Sequence, residues 1–201
     1  MSEAAGSSNP FATRFTRPGA IEFLFPAGDS ALALVDRLRA HSWQGEIVGP
    51  HGVGKSTLLA TLIEPLRSAG RNVVQATLHQ DETALPAELD EWRSWGAATQ
   101  VVVDGYEQLT WWSRRQLARR VRDRQAGLVV TSHAPIGLPA LMTVSPRLEV
   151  ALQVVRRLTP DEKRITNDDI EQTFRSCEGN IREMLFQLYD LYQVRRPDDH
   201  L

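Results

Sequence analysis

The sequence predicts an α/β protein built on a parallel sheet, closed by a small helical segment, and three observations lead there. A glycine-rich loop at Gly49–Ser56 lies between a short apolar run, Gln44–Val48, and the helical stretch Thr57–Ile63. Further short apolar runs follow at 72–78, 100–104, 127–133 and 148–155, spaced by stretches of helical period. After Thr159-Pro160 the pattern is helical only, over 167–176 and 180–195. The expected organisation is an N-terminal polar segment and aromatic arm at 1–27, an α/β core at 28–158 and a helical subdomain at 159–201.

Each element has its own grounds. Residues 1–10 are rich in Ser, Ala and Gly and read as disordered, whereas Phe11, Phe15, Phe23 and Phe25 form an arm without helical period that packs on the core or walls a base pocket. Asp29-Ser30 caps a helix running to about Ala40, with Leu34, Val35 and Leu38 inward. Leu58, Leu62 and Leu66 form the buried stripe of the next helix, which Pro65 should bend and Gly70 ends. A helix is expected over 85–95, with Trp92 and Trp95 as packing residues, and another over 107–124 with Leu117, Ala118 and Val121 inward. In the last helix Ile181, Leu185, Leu188 and Tyr192 form the stripe, and Asn180 with Glu183 forms a capping arrangement.

The loop carries the chemistry. Gly49-Pro50-His51-Gly52-Val53-Gly54-Lys55-Ser56 fits G-x-x-x-x-G-K-[ST] at every fixed position, and Thr57 follows. A triphosphate held by backbone N–H groups needs glycines for unusual backbone angles and close approach. The helix starting near Lys55 adds its unsatisfied N–H groups and the positive end of its dipole. Lys55 would reach the β- and γ-phosphates of a bound triphosphate, and the Ser56 hydroxyl would ligate Mg²⁺. Only two lysines, Lys55 and Lys163, stand among 23 basic residues, which makes a lysine at this position more telling.

Asp104 ends the apolar run Gln100–Val103 and reads either as a carboxylate that would hold Mg²⁺ through water or as a turn residue closing a strand. The residue after it is Gly105, where a water-activating glutamate is the usual choice; Glu107 reads either as its substitute or as an ordinary helix-start acid. The run Gly127–Val130 ends in Thr131, Ser132 and His133, polar groups able to meet the γ-phosphate or its attacking water, or simply a turn into Pro135. Six arginines between Arg114 and Arg124 read as a solvated face or as a contact for nucleic acid or an acidic partner, with Trp111-Trp112 beside them. Arg182 sits in a first helical turn, where a cation is disfavoured unless an anion is near.

The composition is ordinary, with 42% hydrophobic and 24% charged residues and a formal charge of −2, so nothing in it demands nucleic acid or a membrane. The lone Cys177 cannot pair internally, and no signal pattern or membrane-length apolar run is seen, so a cytoplasmic protein is expected.

This order of parts resembles the additional-strand P-loop NTPases and, within them, AAA+ ATPases. The resemblance implies a three-layer α/β fold whose five parallel strands run in the order 5-1-4-3-2, a helical lid, ATP with Mg²⁺, and motion of that lid acting on a protein or DNA partner, in a homo-oligomer in some cases. Lys55 and Asp104 would match the two phosphate and metal motifs. Ser132 or His133 would match sensor 1, and Gly179-Asn180-Ile181-Arg182 would match sensor 2, whose arginine touches the γ-phosphate. Arg147, before the expected fifth strand, lies where an arginine finger is often carried. The missing LSGGQ and NKxD segments argue against an ABC subunit and guanine specificity. A non-hydrolysing switch and a small-molecule kinase remain the alternatives.

Overall fold

A computed structural model describes residues 9–160 and 163–195. They form two compact units, one of residues 23–50 and 55–144, the other drawn from 1–22, 51–54 and 145–201. The expected disorder of residues 1–10 falls almost wholly outside the described residues.

The first unit is the α/β body. Its elements are α2 (Ala31–Ala40), β1 (Gln44–Val48), α3 (Lys55–Ser68), β2 (Asn72–Thr77), β3 (Thr99–Asp104), α4 (Trp111–Asp123), β4 (Gly127–Ser132) and β5 (Ala140–Thr143), with α1 reserved for the helical turn Thr13–Thr16 of the other unit. All pairings are parallel and the sheet order is β2-β3-β4-β1-β5, as the resemblance implies. The central strands are buried on both faces, which is why β3 and β4 read as near-continuous apolar runs rather than alternating ones. On one face Val101, Val103, Leu128 and Val130 pack with Leu117 and Val121 of α4 and with Leu89 and Trp95. Leu58, Leu62 and Leu66 of α3 are fully buried, each contributing about 1.5–3 kcal/mol of transfer free energy. Ser30 caps α2 by accepting from the Ala33 N–H, and Gly70, at φ +81°, terminates the α3 turn.

Three expectations are corrected here. The fifth strand is not 148–155. That stretch is helix α5 (Leu148–Leu158), and the strand beside β1 is Ala140–Thr143. The β-branched content of 148–155 suggests a strand, but its buried residues are Ala151, Val154 and Val155, spaced i, i+3, i+4, a helical interval. Arg147 therefore follows the fifth strand rather than preceding it, at the N-cap of α5, with Nε 3.8 Å from Glu149. Residues 85–95 make two 3₁₀ turns, Ala87–Leu89 and Trp92–Ser94, anchored by buried Leu89 and Trp95. Ala118 is exposed, whereas its neighbours Leu117 and Val121 are buried.

The second unit contains α1, α5, α6 (Asn167–Ser176) and α7 (Ile181–Val194). Thr166 and Asp169 close a reciprocal capping box on α6. The Arg195 guanidinium, bonded to Asp169, holds that carboxyl well below the usual carboxylate range. Phe11 of the aromatic arm is buried edge-on against Tyr192 at 5.9 Å. Asn180 caps α7 by accepting from the Glu183 N–H, and Met184, Leu185, Leu188 and Tyr192 are buried.

Candidate functional site

Ligands of a parallel sheet sit beyond the carboxyl ends of its strands, and there the α/β unit gathers its ionisable groups. β1 delivers Gly49 and Pro50, and the chain resumes in this unit at Lys55, the first residue of α3. Lys55 is 8% exposed, and its Nζ donates to the carbonyls of Gly49 and Pro50, both at 2.7 Å. Burial pulls its ammonium below the ordinary lysine value, while the carboxylates of Glu107 and, less, Asp104 pull the other way. Ser56 and Thr57 occupy the same first turn, where backbone N–H groups have no intrahelical acceptor.

Asp104 ends β3, and the parallel register that pairs Val103 with Val130 carries on to set Asp104 beside Thr131. The Thr131 hydroxyl donates to Asp104 Oδ1 at 2.6 Å and accepts from the Gly105 N–H at 2.8 Å. Thr131 thus fixes the carboxylate and the turn after it. Ser132, expected beside His133 as a γ-phosphate contact, is fully buried, and its hydroxyl donates to the Ala134 carbonyl at 2.8 Å. His133 lies with Nε2 2.9 Å from Glu107 Oε1. The other carboxylate oxygen, Oε2, is buried and has no hydrogen-bond partner among the described residues. Glu107 is therefore not a plain exposed helix-start acid: it lies in the 3₁₀ turn Tyr106–Gln108 ahead of α4, and Arg114 binds its carbonyl at 2.7 Å.

Gly105 explains why no glutamate follows Asp104. Its φ is +78°, and a Cβ there would stand 2.6 Å from the Leu78 carbonyl oxygen. The left-handed turn re-aims the chain so that Glu107, two residues later, stands at the strand ends.

In the other unit, His51, Gly52, Val53 and Gly54 accompany the start of α7. The Arg182 N–H donates to the Gly52 carbonyl at 3.3 Å, and a Cβ on Gly52, whose φ is +69°, would collide with the Asn180 side chain. Val53 is buried and His51 and the Arg182 side chain are exposed.

Residue spacing offers Thr131 only as one of three polar groups, Thr131 to His133, without a tie to Asp104. The signal was present in strand parity, since neighbours in a parallel register point to the same face. Thr131→Val is expected to leave the Gly105 N–H unpaired and Asp104 one donor short, costing about 1–3 kcal/mol and lowering Tm by roughly 2–12 °C in thermal denaturation.

No family model and no curated protein sequence matches the chain. Solved structures do. A RuvB variant of Thermotoga maritima superposes with TM-score 0.52 at 15% identity, over 78% of this chain and 58% of that one. AMPPCP-bound DnaA from Aquifex aeolicus gives TM-score 0.59 at 13% identity, over 88% and 64%. The chain has the fold of these P-loop NTPase structures. The Walker-type ATPase PABY2304 of Pyrococcus abyssi also matches, with TM-score 0.52 at 10% identity over 85% and 68%. The chain spans less than two thirds of the RuvB and DnaA chains it matches. Among its described residues no helix is long and apolar enough to cross a membrane.

Proposed function

We propose that the chain is a Mg²⁺-dependent ATPase. The observation that carries this reading is the Glu107–His133 pair beside Lys55 and Asp104, with Glu107 Oε2 left without a donor among the described residues. A buried carboxylate oxygen lacking a donor is costly unless something outside the chain hydrogen-bonds to it, and an attacking water has the right chemistry. Similarity to the AMPPCP-bound and Walker-type ATPase structures supports nucleotide as the ligand.

The donor set fits the group it would hold. Among the described residues no cluster of three or more His, Cys, Asp or Glu makes an all-protein metal site. Mg²⁺ in such proteins keeps several waters and takes few protein ligands beside phosphate oxygens, so Ser56 and Asp104 suffice. When bound, the ion neutralises charge on the phosphate oxygens. The backbone of Gly49–Thr57 would seat the phosphates, with Lys55 as their counter-charge. Glu107 would accept the proton of the attacking water, oriented by His133. Arg182 meets the γ-phosphate in this reading, by resemblance to sensor 2, and the helical segment 159–201, which holds α6 and α7, acts as the lid. The output falls on a protein or DNA partner, in a cytoplasmic setting.

Single-turnover phosphate release tests this. The wild-type chain should release phosphate from ATP-Mg²⁺, and Glu107→Gln should slow release by roughly 10²–10⁴-fold with ATP binding kept. No release above background from the wild type, with tight ATP binding retained, would replace the ATPase by a non-hydrolysing switch. Transfer of phosphate to a metabolite instead of water would point to a kinase.

A further inference from the structure

Ala118 is exposed because it stands on one wall of a groove in the α/β unit, about 890 Å³ in volume. Trp111, Arg115, Ala118 and Arg122 recur at i, i+4, i+7 and i+11, so one stripe of α4 forms that wall. The loop Pro135–Leu138 forms the other, held in place where the Ile136 N–H donates to the buried Glu46 at 2.8 Å. Ala126 and Leu128 give the floor an apolar character. Arg114 also lines the groove, and its guanidinium is immobilised by the carbonyls of Glu107 and Leu109.

Charge and aromatic faces occur together here. Three arginines line the groove and, among the described residues, no carboxylate does. The nearest acid on α4, Asp123, lies 3.5 Å from Arg119 and 4.0 Å from Arg122, which offsets part of the charge at that end only. At the other end Trp111 and Trp112 are 60% and 74% exposed, set edge to face at 4.6 Å, and the Arg115 guanidinium lies 5.4 Å from the Trp111 ring centre. Adjacent exposed indoles are poorly placed for a monomer's surface and serve no ion pairing. Planar faces beside fixed arginines suit unstacked bases joined by phosphates, whereas an acidic peptide needs only the arginines.

We infer that the groove between α4 and Pro135–Leu138 binds single-stranded nucleic acid. Bases stack on Trp111 and Trp112, and phosphates pair with Arg114, Arg115 and Arg122. Ala118 is small because the strand passes over it. This gives a place and a chemistry to the partner in the proposed function, and it stands apart from hydrolysis because binding is read directly.

Fluorescence anisotropy of a labelled dT20 oligonucleotide with the full chain, with and without ATP-Mg²⁺, tests the site. Binding should fall with salt at a log–log slope of about −2 for three phosphate contacts. The pair Arg115→Ala and Arg122→Ala should weaken it at least about tenfold and flatten the slope by about 1.4. Trp111→Ala should weaken it roughly 5- to 150-fold, and dT20 should quench tryptophan fluorescence in the wild type but less in that variant. Ala118→Leu should obstruct the groove and weaken binding with the helix content unchanged by circular dichroism. Absence of dT20 binding at about 20 mM salt, where phosphate contacts are strongest, overturns the inference. So does equal binding by all variants, which would put the contact elsewhere, and equal competition by a polyglutamate of the same length, which would mark an acidic protein partner.

Discussion

Lys55→Ala is expected to abolish the thermal stabilisation that ATP-Mg²⁺ gives the wild-type chain. At ATP concentrations about a hundredfold above Kd, ligand binding adds about 2.7 kcal/mol, which for a chain of this size raises Tm by roughly 5–11 °C. The variant should show none of this rise. It should also start slightly lower, because the ammonium's bonds to the Gly49 and Pro50 carbonyls are lost. Measuring each protein with and without ATP separates the two effects, since only the difference reports binding. Lys55→Arg should rescue little: the side chain is 8% exposed between two carbonyls 2.7 Å from its tip, and a planar fork does not fit where a compact ammonium does. An unchanged ATP-induced shift in Lys55→Ala would remove the phosphate-loop assignment itself.

Much of this architecture was readable from residue spacing, for identifiable reasons. The loop Gly49–Ser56 and the strand β1 ahead of it follow from local patterns, and so does α6, whose bounds match the expectation at 167–176. Strand order came from resemblance and holds, although the fifth strand is made of other residues. Ala140–Thr143 is only four residues with two buried, too brief for a period to register, while the Val-rich helix after it carries strand-like composition. Ala118 misled because an alanine between Leu117 and Val121 fits a core stripe, and only the opposing loop shows that it borders a groove. The Glu107–His133 pairing spans two elements, and its geometry depends on a left-handed turn that one glycine cannot announce by itself. The strand that His133 follows, β4, also has to lie next to β3 in the sheet, a matter of tertiary order.

Restoring the usual glutamate after Asp104 should damage the protein rather than improve it. Gly105→Glu places an L-residue at φ +78° and a Cβ 2.6 Å from a backbone carbonyl oxygen, that of Leu78. The positive φ alone costs about 1–2 kcal/mol. The carbonyl cannot turn aside cheaply, because Leu78 is tied to β3 through its N–H, which donates to the Asp104 carbonyl at 2.9 Å. A total loss of about 2–4 kcal/mol is expected, seen as a Tm drop of roughly 4–16 °C, with no gain in phosphate release since the turn that aims Glu107 is disturbed. Gly105→Ala should lose nearly as much, because the Cβ makes the collision. Gly70→Ala is the control: its φ is +81°, yet a Cβ there meets nothing within 4 Å, so it reports backbone strain alone. If Gly105→Ala costs no more than Gly70→Ala, the Leu78 carbonyl does not exclude a side chain. The displacement of the acid from position 105 to Glu107 would then need another cause. If it costs at least about 1 kcal/mol more, close packing of β2 against the end of β3 is what moves the acid two residues along the chain.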